Sequence, residues 1–181
     1  NSEIKDLNVE ISVVVINDAL SQQIIDNYPN IENLQSVEII NMKENRGHTR
    51  CIASGLKYIF EKKEFDFVIP MDGDGEDRPE EIKNFFQLSE QSSERSIIGE
   101  RVKRSEGVIF KVCYQFHKFL TLAFTGKSIK FGNFTCLSKI TIKKMLEEKS
   151  TWNSFSGSLK KIENDLVSMP SIRGSRYFGP S

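Results

Sequence analysis

The run Asp72-Gly-Asp-Gly-Glu-Asp-Arg-Pro79 carries four acids within six positions, 72 to 77. Two carboxylates one residue apart, with Gly73 between them, can aim at a common centre. At about 4 Å and an effective dielectric near 20 they repel by about 4 kcal/mol. A cation between the oxygens removes that cost. Oxygen ligands with no His or Cys nearby favour Mg²⁺ or Mn²⁺ over zinc. Asp72 and Asp74 are the expected ligands, with Glu76 a third from the next turn. The plain alternative is a solvated turn, since Asp and Gly are frequent in turns. The apolar run Val68-Ile-Pro-Met71 just before the acids favours the metal.

Two other carboxylate chemistries fit the positions poorly. An EF-hand loop opening at Asp72 needs Gly at its sixth place and Glu at its twelfth, and the chain has Asp77 and Lys83 there. A phosphatase of the haloacid-dehalogenase type, with the first Asp as nucleophile, wants Thr or Val two residues after the second Asp. Glu76 stands there instead.

The elements that must carry this loop follow from patterning. Ile11-Ser-Val-Val-Val-Ile16 is a β-branched apolar run and predicts a strand buried on both faces. Val37 to Met42, Phe65 to Met71, Ser96 to Gly99 and Thr135 to Leu137 predict further strands. Ile52, Leu56, Ile59 and Phe60 recur at helical spacing, so a helix spans 49–61. Pro79 starts another, with Glu80 and Glu81 in its first turn and Ile82, Phe85 and Phe86 on its apolar face. Val112, Phe116, Phe119, Leu120 and Ala123 mark a long core-facing helix within 107–125, and Ile140 to Glu148 a further one. The stretch from Ser150 onward, rich in Ser, Gly and Lys, predicts loops. Strands separated by helices imply right-handed crossovers and a mostly parallel sheet covered by helices on both faces. In such α/β sheets ligands bind at the carboxyl edge, where the acidic loop falls.

The chain has 181 residues, and 1–181 read as a single domain, with a loop-rich end from 150 to 181. Its 25 basic and 25 acidic residues balance, with a pI near 6.9. No basic excess exists to displace counterions, which argues against a nucleic-acid partner. Mean hydropathy is −0.37, and no apolar run approaches the roughly 18 residues of a spanning helix. Cys51, Cys113 and Cys136 are too scattered for a disulfide framework and fit a reducing, cytoplasmic setting. His48 and His117 cannot form a multi-His metal site. No signal peptide, repeat or low-complexity segment is visible, and a start at Asn1 suggests a fragment.

The order of the motifs resembles the family-2 glycosyltransferases of the GT-A (Rossmann-like) fold, especially the branch like dolichol-phosphate-mannose synthase. Val13-Val-Val-Ile-Asn-Asp18 resembles the strand that ends in Asp-Asp-Gly-Ser. Asn45-Arg-Gly47, with Ala53 and Gly55, is similar to the family's Asn-x-Gly helix start. Met71 to Glu80 resembles its Asp-x-Asp loop followed by Gln-x-x-Pro-Glu. Gly99-Glu-Arg101 with Arg104 is similar to the strand-end Gly-x-Arg, Phe131-Gly-Asn-Phe134 to Gly-Asp-Phe, and Arg173-Gly-Ser-Arg-Tyr177 to the late Arg…Gly-Ser-Lys-Tyr.

The resemblance implies an inverting, divalent-metal-dependent hexosyl transfer from a UDP- or GDP-sugar to a polyprenyl-phosphate or other lipid or sugar acceptor. It implies Asp18, Asn45, Gly47 and Asp72 for donor binding. Asp72, Asp74 and Glu76 would hold the metal, and Asp74, Arg101 and Arg173 would serve catalysis. Arg46 is as readily a surface charge as a donor contact. Cationic Arg101, Arg104, Arg173 and Arg176 would suit a phosphate acceptor, although Arg104 and Arg176 also read as ordinary surface arginines. The family usually works at the cytosolic face of a membrane, which implies peripheral membrane contact.

Three departures stand out. Nothing before Ile11 matches the family's opening strand, Asp-Asp-Gly-Ser has become Asn17-Asp-Ala-Leu20, and Asn133 replaces the acid of Gly-Asp-Phe. The alternative is a non-catalytic GT-A-like binding or scaffolding module. A nucleotidyltransferase would need a Gly-rich basic loop near the N-terminus, and none is present.

Overall fold

A computed structural model describes residues 9–19, 33–92, 95–101 and 131–177. The helix expected within 107–125, Arg104, Cys113 and His117 lie outside the described residues, as do residues 1–8, where the opening strand was expected to be missing.

Strand β1 (Ile11–Asn17) pairs in parallel with β2 (Leu34–Asn41), from Ile11 opposite Leu34 to Asn17 opposite Asn41. The Asn17 Nδ2 amide donates to Asn41 Oδ1 at 2.8 Å and pins the carboxyl ends together. Helix α1 (His48–Lys62) lies close against β1, where a Cβ on Gly55 would stand 3.0 Å from Ile16 Cγ1. The expectation that β1 is buried on both faces needs correction. Only Asn17 is fully buried, and Val13 is 39% exposed. Its one described strand neighbour is β2, so the pair forms a two-stranded sheet of its own.

The second sheet has four strands in the order β3 (Phe67–Val68), β5 (Phe131–Ser138), β4 (Ile97–Arg101), β6 (Val167–Ser171). β6 runs parallel to β4, while β5 runs against both β3 and β4. The parallel expectation therefore holds for β1–β2 and β4–β6, and β5 makes the second sheet mixed. β3 pairs over only two residues rather than through 65–71, because Pro70 has no N–H to offer a ladder.

Neighbouring residues on one strand face opposite ways and build two cores. Ile98, Phe131 and Leu137 pack with Leu56 of α1, with Ile142 and Met145 of α3 (Lys139–Glu147), and with Phe155 and Leu159 of α4 (Phe155–Ile162). On the other face Ile97, Phe134, Cys136 and Met169 enclose Phe85 of α2 (Ile82–Gln91). Phe85 meets Phe134 edge to face, ring centroids 4.8 Å apart. Pro79 opens a single 3₁₀ turn that leads into α2, as a proline in a first helical turn should.

The loop-rich end expected from Ser150 is a correction. Ser154 caps α4 by accepting from Gly157 N at 3.3 Å, and its Phe155 and Leu159, four residues apart, are buried. β6 then alternates, with Met169 and Ser171 buried and Ser168 and Pro170 exposed, and the proline is tolerated because β6 is an edge strand among the described residues. Glu163, just beyond α4, locks this end in place. It accepts from Ser96 N and Ser96 Oγ, both at 2.8 Å, and from Thr141 Oγ1 at 2.9 Å.

Phe85 is fully buried, so Phe85→Ala leaves a cavity on the α2 face. The expected loss is about 3–5 kcal/mol in urea unfolding, whereas a loss below about 1 kcal/mol would mean this face is not a packed core.

Candidate active site

The carboxyl ends of β1, β3, β4 and β6 and the start of antiparallel β5 carry the residues that matter. β1 delivers Asp18. Its Oδ1 accepts from Arg46 N at 2.8 Å and its Oδ2 from Gly47 N at 2.9 Å. Gly47 stands before α1 with φ +84°, a conformation that favours glycine. The Arg46 amide, helped by the Cys51 thiol and the Gly47 amide against partial burial, holds the Asp18 carboxyl below its usual range. Burial, with Asp18 beside it, pushes the Cys51 thiol up to about 11. The aspartate thus fastens the end of β1 to the loop entering α1. Asn45 and Arg46 are exposed, and Arg46 pairs with Glu44, which fits its reading as a surface charge.

β3 leads through Pro70 into the acidic loop, which is folded by its own side chains. Asp77 Oδ2 accepts from Asp72 N at 2.8 Å and Asp74 Oδ1 from Glu76 N at 2.9 Å. Gly75 takes φ +91°. Burial, with the Asp72 charge adding a little, raises the Asp77 carboxyl above its usual range, against the Asp72 amide that donates to it and the charges of Arg101 and Arg173. Asn133, at the start of β5, donates Nδ2 to Asp72 Oδ1 at 3.0 Å, and His48 Nε2 lies 3.5 Å from the same oxygen.

The segment that leaves β6 lies across this loop. Ile172 N donates to Glu81 Oε1 at 2.8 Å, Gly174 N to the Glu76 carbonyl at 2.9 Å, and Tyr177 N to the Asp74 carbonyl at 2.8 Å. The Tyr177 ring covers Gly75 so closely that a Cβ there would sit 2.8 Å from Cζ, and a Cβ on Gly174 would collide with the Gly75 carbonyl oxygen. Arg173 pairs with the buried Glu76. Arg176 Nε lies 3.2 Å from Asp74 Oδ2 and 3.2 Å from Glu76 Oε1.

The acids' mutual repulsion is therefore met by two arginines of this chain. Asp72, Asp74, Glu76, Arg173 and Asn133 are brought together, and Arg101 joins them across Gly132 and Asp77. Arg176, which the sequence let be read either as a phosphate contact or as an ordinary surface charge, is bound to two of the acids. His48 was not singled out for the site, and its only signal is its place directly after Gly47.

Asp72 and Asp74, at 22% and 34% side-chain exposure, present oxygen donors that suit a hard divalent ion. Glu76 is buried and already neutralised by arginines, which does not suit a ligand. Among the described residues no group of three or more His, Cys, Asp or Glu could hold a metal by itself. Two carboxylates completed by substrate phosphates are a usual Mg²⁺ arrangement.

A family model described as "Glycosyl transferase family 2" matches residues 3–148. The chain belongs to glycosyl transferase family 2. A search of curated proteins returns no significant match. The match covers the Asp18 tie, the start of α1, the acidic loop and Asn133. The glycosyl transferase's arginine-bearing segment, residues 172–177, lies beyond it.

Because Asp18 is held below its ordinary value of 3.8, its bonds stabilise the fold fully above that pH and are lost as pH falls through the lowered folded value. Asp18→Asn should lower the melting temperature at pH 7, and the gap to the wild type should narrow as pH falls below about 4. Melts in that range that stay equally far apart would show that Asp18 does not act through its charge.

Proposed function

We propose that this glycosyl transferase moves a hexose, with inversion, from a UDP- or GDP-sugar to a lipid-phosphate acceptor such as a polyprenyl phosphate. A divalent Mg²⁺ or Mn²⁺ at Asp72 and Asp74 assists it. The reading is supported above all by the meeting, at one sheet edge, of two half-exposed aspartates with Arg101, Arg173 and Arg176. When bound, the ion would supply positive charge to a departing diphosphate.

The chain's own residues divide the remaining work. The Arg46–Gly47 loop, fixed by Asp18, offers backbone beside the nucleoside, with Asn45 exposed next to it. Asn133 orients Asp72 through its amide. An amide is no proton acceptor at neutral pH, so Asn133 suits an acceptor that arrives already ionised. A phosphate is such an acceptor, and planar guanidinium groups match its oxygens. Peripheral contact with the cytosolic face of a membrane belongs to the same proposal, since a polyprenyl phosphate resides there. Among the described residues no helix is long and apolar enough to cross a membrane. The branch like dolichol-phosphate-mannose synthase is the proposed affinity within the family. A non-catalytic scaffold gains no support from the family match.

Calorimetric titration of UDP and GDP with and without Mn²⁺ tests the reading. Binding of one nucleotide should tighten at least tenfold with Mn²⁺, and Asp72→Ala together with Asp74→Ala should abolish that gain. An unchanged gain in the double variant would remove the metal from these residues.

A further inference from the structure

We propose that Arg176 is the resident counter-ion of Asp74, which the divalent ion displaces, and that the released guanidinium then binds the donor's diphosphate. This rests on the metal reading above. Asp74 has one oxygen committed inside the loop, where Oδ1 accepts from Glu76 N. Its other oxygen, Oδ2, is the one a cation needs, and Arg176 Nε lies 3.2 Å from it.

The two arginines differ in how easily they exchange. Arg173 is paired with Glu76, whose side chain is only 7% exposed, and removing that partner would leave a buried carboxylate without charge compensation. Arg176 Nε is shared between Asp74 Oδ2 and the buried Glu76 Oε1, each at 3.2 Å. Its pair with Asp74 is 40% and 34% exposed, so solvent screens that attraction, and Glu76 keeps Arg173 when Arg176 turns away. Arg173 therefore holds the loop, and Arg176 gives way.

Release does not carry Arg176 away from the site. Its backbone is held on both sides, by Gly174 N on the Glu76 carbonyl and by Tyr177 N on the Asp74 carbonyl. A guanidinium freed at that point remains within side-chain reach of whatever binds at Asp74. Its planar fork matches two oxygens of a diphosphate. Metal and nucleotide binding are then coupled, and the coupling is reciprocal.

The test titrates wild type, Arg176→Gln and Arg176→Lys with MnCl₂ alone, by calorimetry and water-proton relaxation, and then with UDP or GDP at saturating Mn²⁺. Arg176→Gln should bind Mn²⁺ alone roughly 1.5- to fivefold more tightly and the nucleotide in the presence of Mn²⁺ more weakly. Arg176→Lys, which keeps the charge, should fall between it and wild type in both. A residue with only a structural role would weaken both affinities together when replaced. If wild type binds Mn²⁺ and Arg176→Gln binds it equally or less tightly, the exchange is wrong and the metal reading stands. If no variant binds Mn²⁺ with or without nucleotide, both fall. Should Arg176→Gln fail to fold, a Lys variant identical to wild type in both titrations overturns the exchange by itself.

Discussion

Four acids packed into six positions repel one another, and the fold at this edge is organised around meeting that charge. The loop cannot relieve itself by spreading, because Asp77 reaches back to Asp72 N, Asp74 to Glu76 N, and Glu76 is buried. Compensation arrives from a part of the chain about a hundred residues away. Arg173 and Arg176 are presented by the backbone that leaves β6, and two main-chain hydrogen bonds fix that backbone to the loop. Burying a carboxylate without such a partner costs several kcal/mol, so the loop and the segment depend on each other.

That dependence explains why the end of the chain is so firmly built. β6 must lie parallel to β4 for its last residue to emerge at the same edge as the acidic loop. Met169 beneath Phe85, and the Glu163 network that joins Ser96 to Thr141, hold β6 and the start of β4 in that position. The two cores on opposite faces of the sheet make the edge rigid, and a rigid edge is what lets short polar side chains keep a fixed geometry. The antiparallel course of β5 has a consequence of its own. It brings the beginning of that strand, with Asn133, to an edge where the other strands end.

Much of the fold was legible because apolar periodicity is local. β1, β2, α1 and α2 lie close to where branched runs and helical spacing put them. β3 was overdrawn because a ladder needs N–H groups, and Pro70 supplies none. The region from Ser150 was taken for loops because its Ser, Gly and Lys content hides a few well-placed anchors. Phe155, Leu159 and Met169 suffice to fix a helix and a strand once they have a sheet to pack on. In the site, the aspartates and Gly47 were readable from spacing and motif. Arg176 was readable only as one of two things, a phosphate contact within the late Arg-Gly-Ser-Arg-Tyr motif or a solvent-facing charge, and its pairing with Asp74 and Glu76 was not. Its partners are fixed only by the path of β6, which no local pattern encodes. His48 escaped for the same reason, as its approach to Asp72 depends on where α1 begins relative to β3.

The assignment of Glu76 turns on the same physics. By spacing it reads as a third ligand from the next turn, behind Asp72 and Asp74. Burial separates them. A carboxylate with 7% side-chain exposure, held by Arg173 and Arg176, would have to lose both partners to accept a metal. Asp74 has only one exposed partner to lose, and Asp72 has an amide and a distant imidazole. The cost of stripping partners therefore rises from Asp72 to Asp74 to Glu76. An incoming ion is met by the outer two, while the third keeps the arginine that ties the end of the chain to the loop.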